Sequence, residues 1–367
     1  MTTRGMAPSG TESAAAAMAD AMEATEANAG AVRWPLPALH RLAGRLAPGR
    51  VIVVTGATGN GKTTLLLETA RTLALAGHGL AYLGTEQPPH ELWRTMACAL
   101  EGVPSGVGIT DAWDDLGPAD LDAIRRVRWA LDGSRAPALD TPADLRAAVE
   151  HTETDLMAKL GPRLNILADP MPTPGRVRAA CRRAVEDGHR LVVLDHLGRM
   201  LGDDADAQEY GARKAATSAL VEIAKDEGVC LLVGVQQNRR ERGGDHLGPY
   251  QPPKLVGLEG GGFIEQEAWA CLGVWRPLRE AAPGEDVKAI HEARRAARAG
   301  EIEPREVLEP DTMAVVLLKH RGPPVGVRVG DRVRLRVRHG RITELDPQDA
   351  HAIHTGGVAS RPRGWAA

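Results

Sequence analysis

The sequence predicts an α/β protein with a mostly parallel central sheet flanked by helices, and with antiparallel strands at its C-terminal end. Three observations predict it. Short apolar runs such as Arg50 to Thr55 (RVIVVT) and Leu191 to Asp195 (LVVLD) alternate with helical stretches, the pattern of strands buried on both faces. A glycine-rich turn, Gly56-Ala57-Thr58-Gly59-Asn60-Gly61-Lys62-Thr63, joins the first of these runs to a helix. Towards the end the pattern changes to short strands separated by tight turns.

Taken in order, residues 1 to about 30 are rich in Ala, Ser, Thr and Glu. They read either as a disordered arm or as a marginal helix, Thr11 to Asn28, that docks on a neighbouring subunit. The ordered core begins near Trp34-Pro35-Leu36 and extends to residue 345 as one domain. After the first strand come a helix from Lys62 to Leu75, a strand from Leu80 to Gly84 and a helix from Pro89 to Leu100. Gly102 to Gly161 is polar and proline-punctuated, with helical stretches at Leu121 to Leu131 and Pro142 to Leu160, and reads as a helical insertion. Buried strands follow at Leu164 to Leu167, Leu191 to Asp195, Val229 to Val235 and Ala268 to Val274. A helix from Ala205 to Glu227, closed by Gly228, separates the middle two. Met313 to Lys319, Val325 to Val329, Val333 to Val337 and Arg341 to Glu344 supply the terminal strands, and a tail covers residues 346–367.

The net charge of -3 over 367 residues gives no bulk attraction to nucleic acid, so any such grip would come from a local basic patch. Cys98, Cys181, Cys230 and Cys271 form no C-x-x-C pair and read as reduced, buried thiols. With no membrane-length apolar run and no signal-peptide core, a cytoplasmic setting is expected. His351 and His354 lack a third ligand nearby, which argues against a metal site there.

The chemistry starts at the glycine-rich turn, which reads as a P-loop. Its glycines let successive backbone N–H groups curl around phosphates, at the positive end of the following helix. Lys62 would reach the β- and γ-phosphates of ATP, the Thr63 hydroxyl would bind Mg²⁺, and Thr64 completes the nucleotide-binding run. Asp195 emerges from a buried strand as the second Mg²⁺ group. Glu86, at the end of the Leu80 strand, is the candidate base for the attacking water, and Gln236 offers an amide near the γ-phosphate. An Asn-Lys-x-Asp base-reading motif is absent, which excludes an ordinary GTPase. The P-loop, Glu86 and Asp195 alone leave a small-molecule kinase open.

Further elements narrow the choice by their order: Thr85-Glu86 followed by Pro88-Pro89, Asp169-Pro170 leading to Asp195-His196-Leu197, and Gln236-x-Asn238-Arg239. Ile264-Glu265-Gln266 and Lys319-x-Arg321-x-Pro323 complete the series. From Trp34 to Leu345 the chain resembles the C-terminal motor domain of DnaB-type replicative helicases, a RecA-like P-loop NTPase family. The resemblance implies a hexameric ATPase that translocates on single-stranded DNA. It also implies that Glu86 activates water, that Gln236 senses the γ-phosphate, and that Lys319 and Arg321 act in trans on ATP held by the next subunit.

The chain departs from that pattern at the loops that would face DNA. The first reads Leu201-Gly202-Asp203-Asp204-Ala205-Asp206, which is acidic, and Glu259 stands where the family has an arginine. Gly260, Gly261 and Gly262 can still present N–H groups to phosphates. Arg239, Arg240, Arg242 and Lys254 form the nearest basic cluster, which reads equally as a DNA contact or as a solvated loop. The short arm takes the place of the helical collar domain that typical members carry. A non-unwinding ATPase switch, loading or signalling through an oligomer, is the alternative reading.

Overall fold

The computed structural model describes residues 30–132, 139, 141–200, 209–237, 253, 255, 266–276, 311–324 and 326–345. The described chain opens with a small ribbon, β1 (Val32–Arg33) antiparallel to β2 (Arg45–Leu46), enclosing helix α1 (Pro37–Ala43). Next come β3 (Val51–Gly56), α2 (Lys62–Leu75), β4 (Leu80–Gly84) and α3 (Pro89–Glu101). The stretch expected to be a helical insertion supplies α4 (Ser105–Thr110), α5 (Pro118–Asp132) and α6 (Pro142–Leu160). Then follow β5 (Leu164–Ala168), α7 (Pro174–Glu186), β6 (Leu191–Asp195), α8 (Glu209–Asp226) and β7 (Cys230–Gln236). The chain closes with β8 (Ala270–Trp275), β9 (Thr312–His320), β10 (Arg332–Arg338) and β11 (Arg341–Glu344).

One nine-stranded sheet takes the order β11-β10-β9-β8-β3-β7-β6-β4-β5. Its six strands from β8 to β5 are parallel, whereas β9, β10 and β11 join antiparallel. The run Val51-Ile52-Val53-Val54 is continuously apolar because both faces of β3 are covered. Ile52 and Val54 pack with Leu65, Leu66, Ala70 and Leu73 of α2, while Val51 and Val53 pack with Leu220, Ile223 and Ala224 of α8. Each fully buried side chain of this kind contributes about 1.5–3 kcal/mol, so the sheet's two cores hold its carboxyl edge in place.

The helices start and stop on legible signals. Thr141 caps α6 reciprocally with Asp144, and Pro142 occupies the first helical turn. Thr173 caps α7 by accepting from the Arg176 N–H, with Pro174 behind it. Gly102 ends α3 at φ 68°, in the left-handed region that glycine tolerates. Arg94–Glu153 and Arg128–Glu101 ion pairs, with the Thr152 hydroxyl donating to Glu101, bind α3, α5 and α6 together.

One expected strand is absent. Val325 to Val329 alternates like a strand, yet 326–330 run as turns. Pro323 and Pro324 remove two ladder donors, Gly326 and Gly330 adopt φ of 82° and 98°, and the Arg328 N–H is taken by the Asp331 side chain at 2.7 Å. All four cysteines are free and buried. Among the described residues no helix is long and apolar enough to cross a membrane. The arm over residues 1–29, the acidic stretch 201–206 and the tail 346–367 lie outside the described residues.

Candidate active site

The carboxyl edge of the parallel strands gathers most of the predicted groups. β3 delivers Gly56 and then the loop Ala57, Thr58, Gly59, Asn60 and Gly61 before α2 begins at Lys62. Gly59 and Gly61 sit at φ 76° and 91°, which turns their N–H groups to one side as a phosphate cradle requires. A Cβ on Gly56 would stand 2.5 Å from the Val274 carbonyl oxygen of β8, so only glycine lets the loop leave the sheet there. Lys62 is buried, and its Nζ donates to the Gly56 and Ala57 carbonyls at 2.9 and 3.2 Å, poised over the loop it serves. Thr63 and Thr64 follow in the first turn of α2.

Asp195 ends β6 and is buried beside the loop. Burial pushes its carboxyl above the ordinary aspartate value, opposed by hydrogen bonds from Tyr82 and Thr63 and by the charges of His196 and Lys62. The Tyr82 hydroxyl donates to Asp195 Oδ2 at 2.7 Å from inside β4, and burial, together with the aspartate, raises the phenol's own pKa. A bound divalent cation suits this donor set: a hydroxyl and a buried carboxylate are hard oxygen ligands, and added positive charge would offset the cost of burying Asp195. Among the described residues no cluster of three or more His, Cys, Asp and Glu side chains forms a protein-made metal cage. Thr63 and Asp195 are the two side chains that could hold Mg²⁺.

Gln236 closes β7 opposite Gly56, and its amide donates to the Thr58 hydroxyl of the loop at 2.7 Å. Glu86 lies two residues beyond β4, half-exposed on the same edge. Here β4 is not beside β3; β7 and β6 stand between them. Glu86 is tied to the site through Asp195 instead. The Thr85 N–H donates to the Asp195 carbonyl at 2.8 Å, and the His196 ring meets Glu86 Oε1 at 3.1 Å.

Lys319 and Arg321 go elsewhere. Because β9 runs antiparallel to β8, His320 aligns with Ala270, and Ala270 with Ile52 at the start of β3. The Arg321 N–H bonds the Trp269 carbonyl, and the Trp269 N–H bonds the Val51 carbonyl. Five strand residues, roughly 16 Å at 3.3 Å each, therefore separate the level of Arg321 from that of Gly56. The pair occupies the opposite edge of the sheet from its own P-loop. Lys319 Nζ and Arg321 both donate to the Gln266 carbonyl, at 2.6 and 2.9 Å. His320 pins the turn between them, accepting from the Gly322 N–H at 3.0 Å and meeting the Ala43 carbonyl at 3.2 Å. Its ring stands edge-on to Trp269, which carries the Arg50 guanidinium 3.8 Å above its face.

The sequence alone gave no role to three contributors: Tyr82, His196 and Arg276. Arg276 follows β8 at the same edge, its Cδ 3.6 Å from where a Gly61 Cβ would be. A polar residue just past a buried strand was the available signal for His196 and Arg276, as it was for Asp195 and Gln236. The candidate DNA contacts Arg239, Arg240, Arg242, Lys254, Gly260, Gly261 and Gly262 lie outside the described residues.

A phosphate loop at the carboxyl edge of a parallel sheet, with a buried acid on a nearby strand and antiparallel strands appended, defines a RecA-like P-loop NTPase fold. The chain belongs to the family described as an AAA domain (AAA_25), whose model matches residues 18–243, more than half of its length. That match includes the P-loop, Glu86, Asp195 and Gln236 and ends before Lys319 and Arg321. No curated protein matches the chain. Among solved structures, one determined as an isolated ATPase domain aligns at TM-score 0.60 and 14% identity, over 93% of this chain and all of that domain. A DnaB-like replicative helicase, solved in a study of its interactions with primase, aligns at TM-score 0.59 and 15% identity over 86% of this chain. The chain covers 63% of that helicase.

Proposed function

We propose that this chain is a DnaB-like ATPase that hydrolyses ATP at the subunit interfaces of a homohexameric ring and moves along single-stranded DNA. One observation carries the intersubunit part: Arg321 and Lys319 stand at the far edge of the sheet from their own Gly56–Thr63 loop. A basic pair in that position reaches a γ-phosphate only on another copy, and a head-to-tail contact of this kind closes into a ring.

In this reading the N–H groups of the loop and Lys62 bind the phosphates, and Glu86 accepts a proton from the attacking water. Gln236 reports the γ-phosphate to the loop through Thr58. Mg²⁺, held by Thr63 and Asp195, would neutralise the charge on the β- and γ-phosphate oxygens. Arg321 and Lys319 of the adjoining copy would stabilise the charge that develops during transfer. Arg239, Arg240, Arg242, Lys254 and the glycines 260–262 would follow the DNA backbone. Residues 31–345 would act as one motor unit with its 102–161 insertion, between an N-terminal arm and a C-terminal tail.

The test is ATP turnover with and without single strands, alongside unwinding of a forked duplex. Stimulation by single strands together with unwinding is expected; turnover indifferent to DNA would overturn the motor. A second reading, an ATPase switch that does not unwind, is favoured by Asp203, Asp204, Asp206 and Glu259 in the expected channel segments. It predicts single-strand binding only at very low salt.

A further inference from the structure

We infer that His196 is a positioning residue, which holds the Glu86 carboxylate in the orientation needed to activate water. This inference rests on the proposed role of Glu86 in ATP hydrolysis. The imidazole is engaged at both nitrogens. The Gly198 N–H, which can only donate, points at Nδ1 from 2.9 Å, so in the neutral ring the proton sits on Nε2. Nε2 lies 3.1 Å from Glu86 Oε1 and donates to it. The ring itself has little freedom, since the His196 side chain is 9% exposed against 51% for Glu86. A glutamate with three rotatable bonds and half its surface in water samples many rotamers; a fixed donor selects among them.

The backbone around His196 is anchored as firmly. Its N–H donates to the Thr85 hydroxyl at 3.0 Å, and the Thr85 hydroxyl reaches the Asp195 carbonyl at 3.2 Å. Asp195 is in turn held by Tyr82. The carboxylate proposed for the metal and the carboxylate proposed for water activation are thus joined through two consecutive residues, Asp195 and His196. A displacement of one is transmitted to the other, which keeps both in register as the nucleotide site changes.

Two substitutions separate the two ring contacts. His196→Asn keeps an acceptor close to the backbone for the Gly198 N–H, a benign cap for the short turn Leu197–Arg199, but is too short to reach Glu86. His196→Gln places an amide donor at the reach of Nε2 and gives up the Gly198 contact. Turnover and affinity for a fluorescent ATP analogue are measured for both, beside Glu86→Gln. His196→Asn should lower kcat about tenfold with KM and analogue affinity within about twofold, because the lost contact orients the base without binding substrate. His196→Gln should recover most of that loss. In protein labelled with [¹⁵N]histidine and free of nucleotide, the imidazole signal lost in His196→Asn should carry its proton on Nε2.

Wild-type turnover in His196→Asn while Glu86→Gln is inactive overturns the role of His196 and leaves the ATPase reading standing. Equal losses in Asn and Gln accompanied by weaker analogue binding, or a proton on Nδ1, also overturn it, by pointing to a structural histidine. Near-normal turnover in Glu86→Gln instead removes the catalytic reading on which the inference rests.

Discussion

Gly234 on β7 leaves the space that the Asp195 carboxylate occupies, so Gly234→Ala probes the metal-side geometry without altering a functional group. A Cβ there would lie 2.9 Å from Asp195 Oδ1, 3.1 Å from Leu66 Cδ1 and 3.4 Å from His196 Cβ. Leu66 is fully buried and packed on the sheet, so it has nowhere to move. Asp195 must give by a few tenths of an ångström, against the 2.7 Å bond from Tyr82. Overpacking of this kind costs about 1–3 kcal/mol, and the entropy that alanine removes from the unfolded chain returns about 0.4–1 kcal/mol. The net expectation is about 1–2 kcal/mol, a melting temperature lower by roughly 2–8 °C in a large domain. Binding of a fluorescent ATP analogue should weaken about tenfold with Mg²⁺ present, and change little in EDTA, because Lys62 and the loop are untouched. Unaltered melting together with unaltered Mg²⁺-dependent affinity would refute the reasoning that Asp195 is held in that space.

Glu86→Gln should bind the analogue with near-native affinity yet turn ATP over at least about a hundredfold more slowly, measured by phosphate release at saturating ATP. Leu66→Ala should destabilise the fold by about 2–5 kcal/mol, read from denaturant unfolding, since its side chain is fully buried between α2 and the sheet. Burial pushes the thiols of Cys98, Cys181 and Cys230 up to about 12, so at pH 8 they stay protonated in the folded protein. A thiol reagent at that pH should label them only on unfolding, which returns their pKa to about 8.5; prompt labelling of native protein by mass spectrometry would contradict this.

The parallel strands were legible because burial on both faces leaves an unbroken apolar run, as in Val51-Ile52-Val53-Val54 and Leu191-Val192-Val193-Leu194. The P-loop was legible because its residue types are dictated by backbone geometry: Gly59 and Gly61 at positive φ, and Gly56 against the Val274 carbonyl. Strand order was not. Nothing in the sequence around Glu86 says that β4 pairs with β6 rather than β3, and that pairing is what brings His196 to Glu86. Val325 to Val329 was misread because alternation outweighed Pro323, Pro324 and the two glycines, whose backbone limits decide the outcome. The ribbon β1–β2 escaped because two-residue strands carry no periodicity at all. That Lys319 and Arg321 face away from their own loop follows only from the antiparallel sense of β9.

The central claim is that each active site is shared between two copies of the chain, and subunit mixing tests it most directly. Arg321→Ala and Lys62→Ala are each purified, shown to be inactive alone, then mixed in equal amounts and assayed for ATP turnover. If Arg321 acts in trans, roughly a quarter of the interfaces in a randomly mixed ring join an intact loop to an intact arginine. Turnover should then rise from near zero to about a quarter of wild type. A mixture no more active than the two variants apart would contradict the shared site.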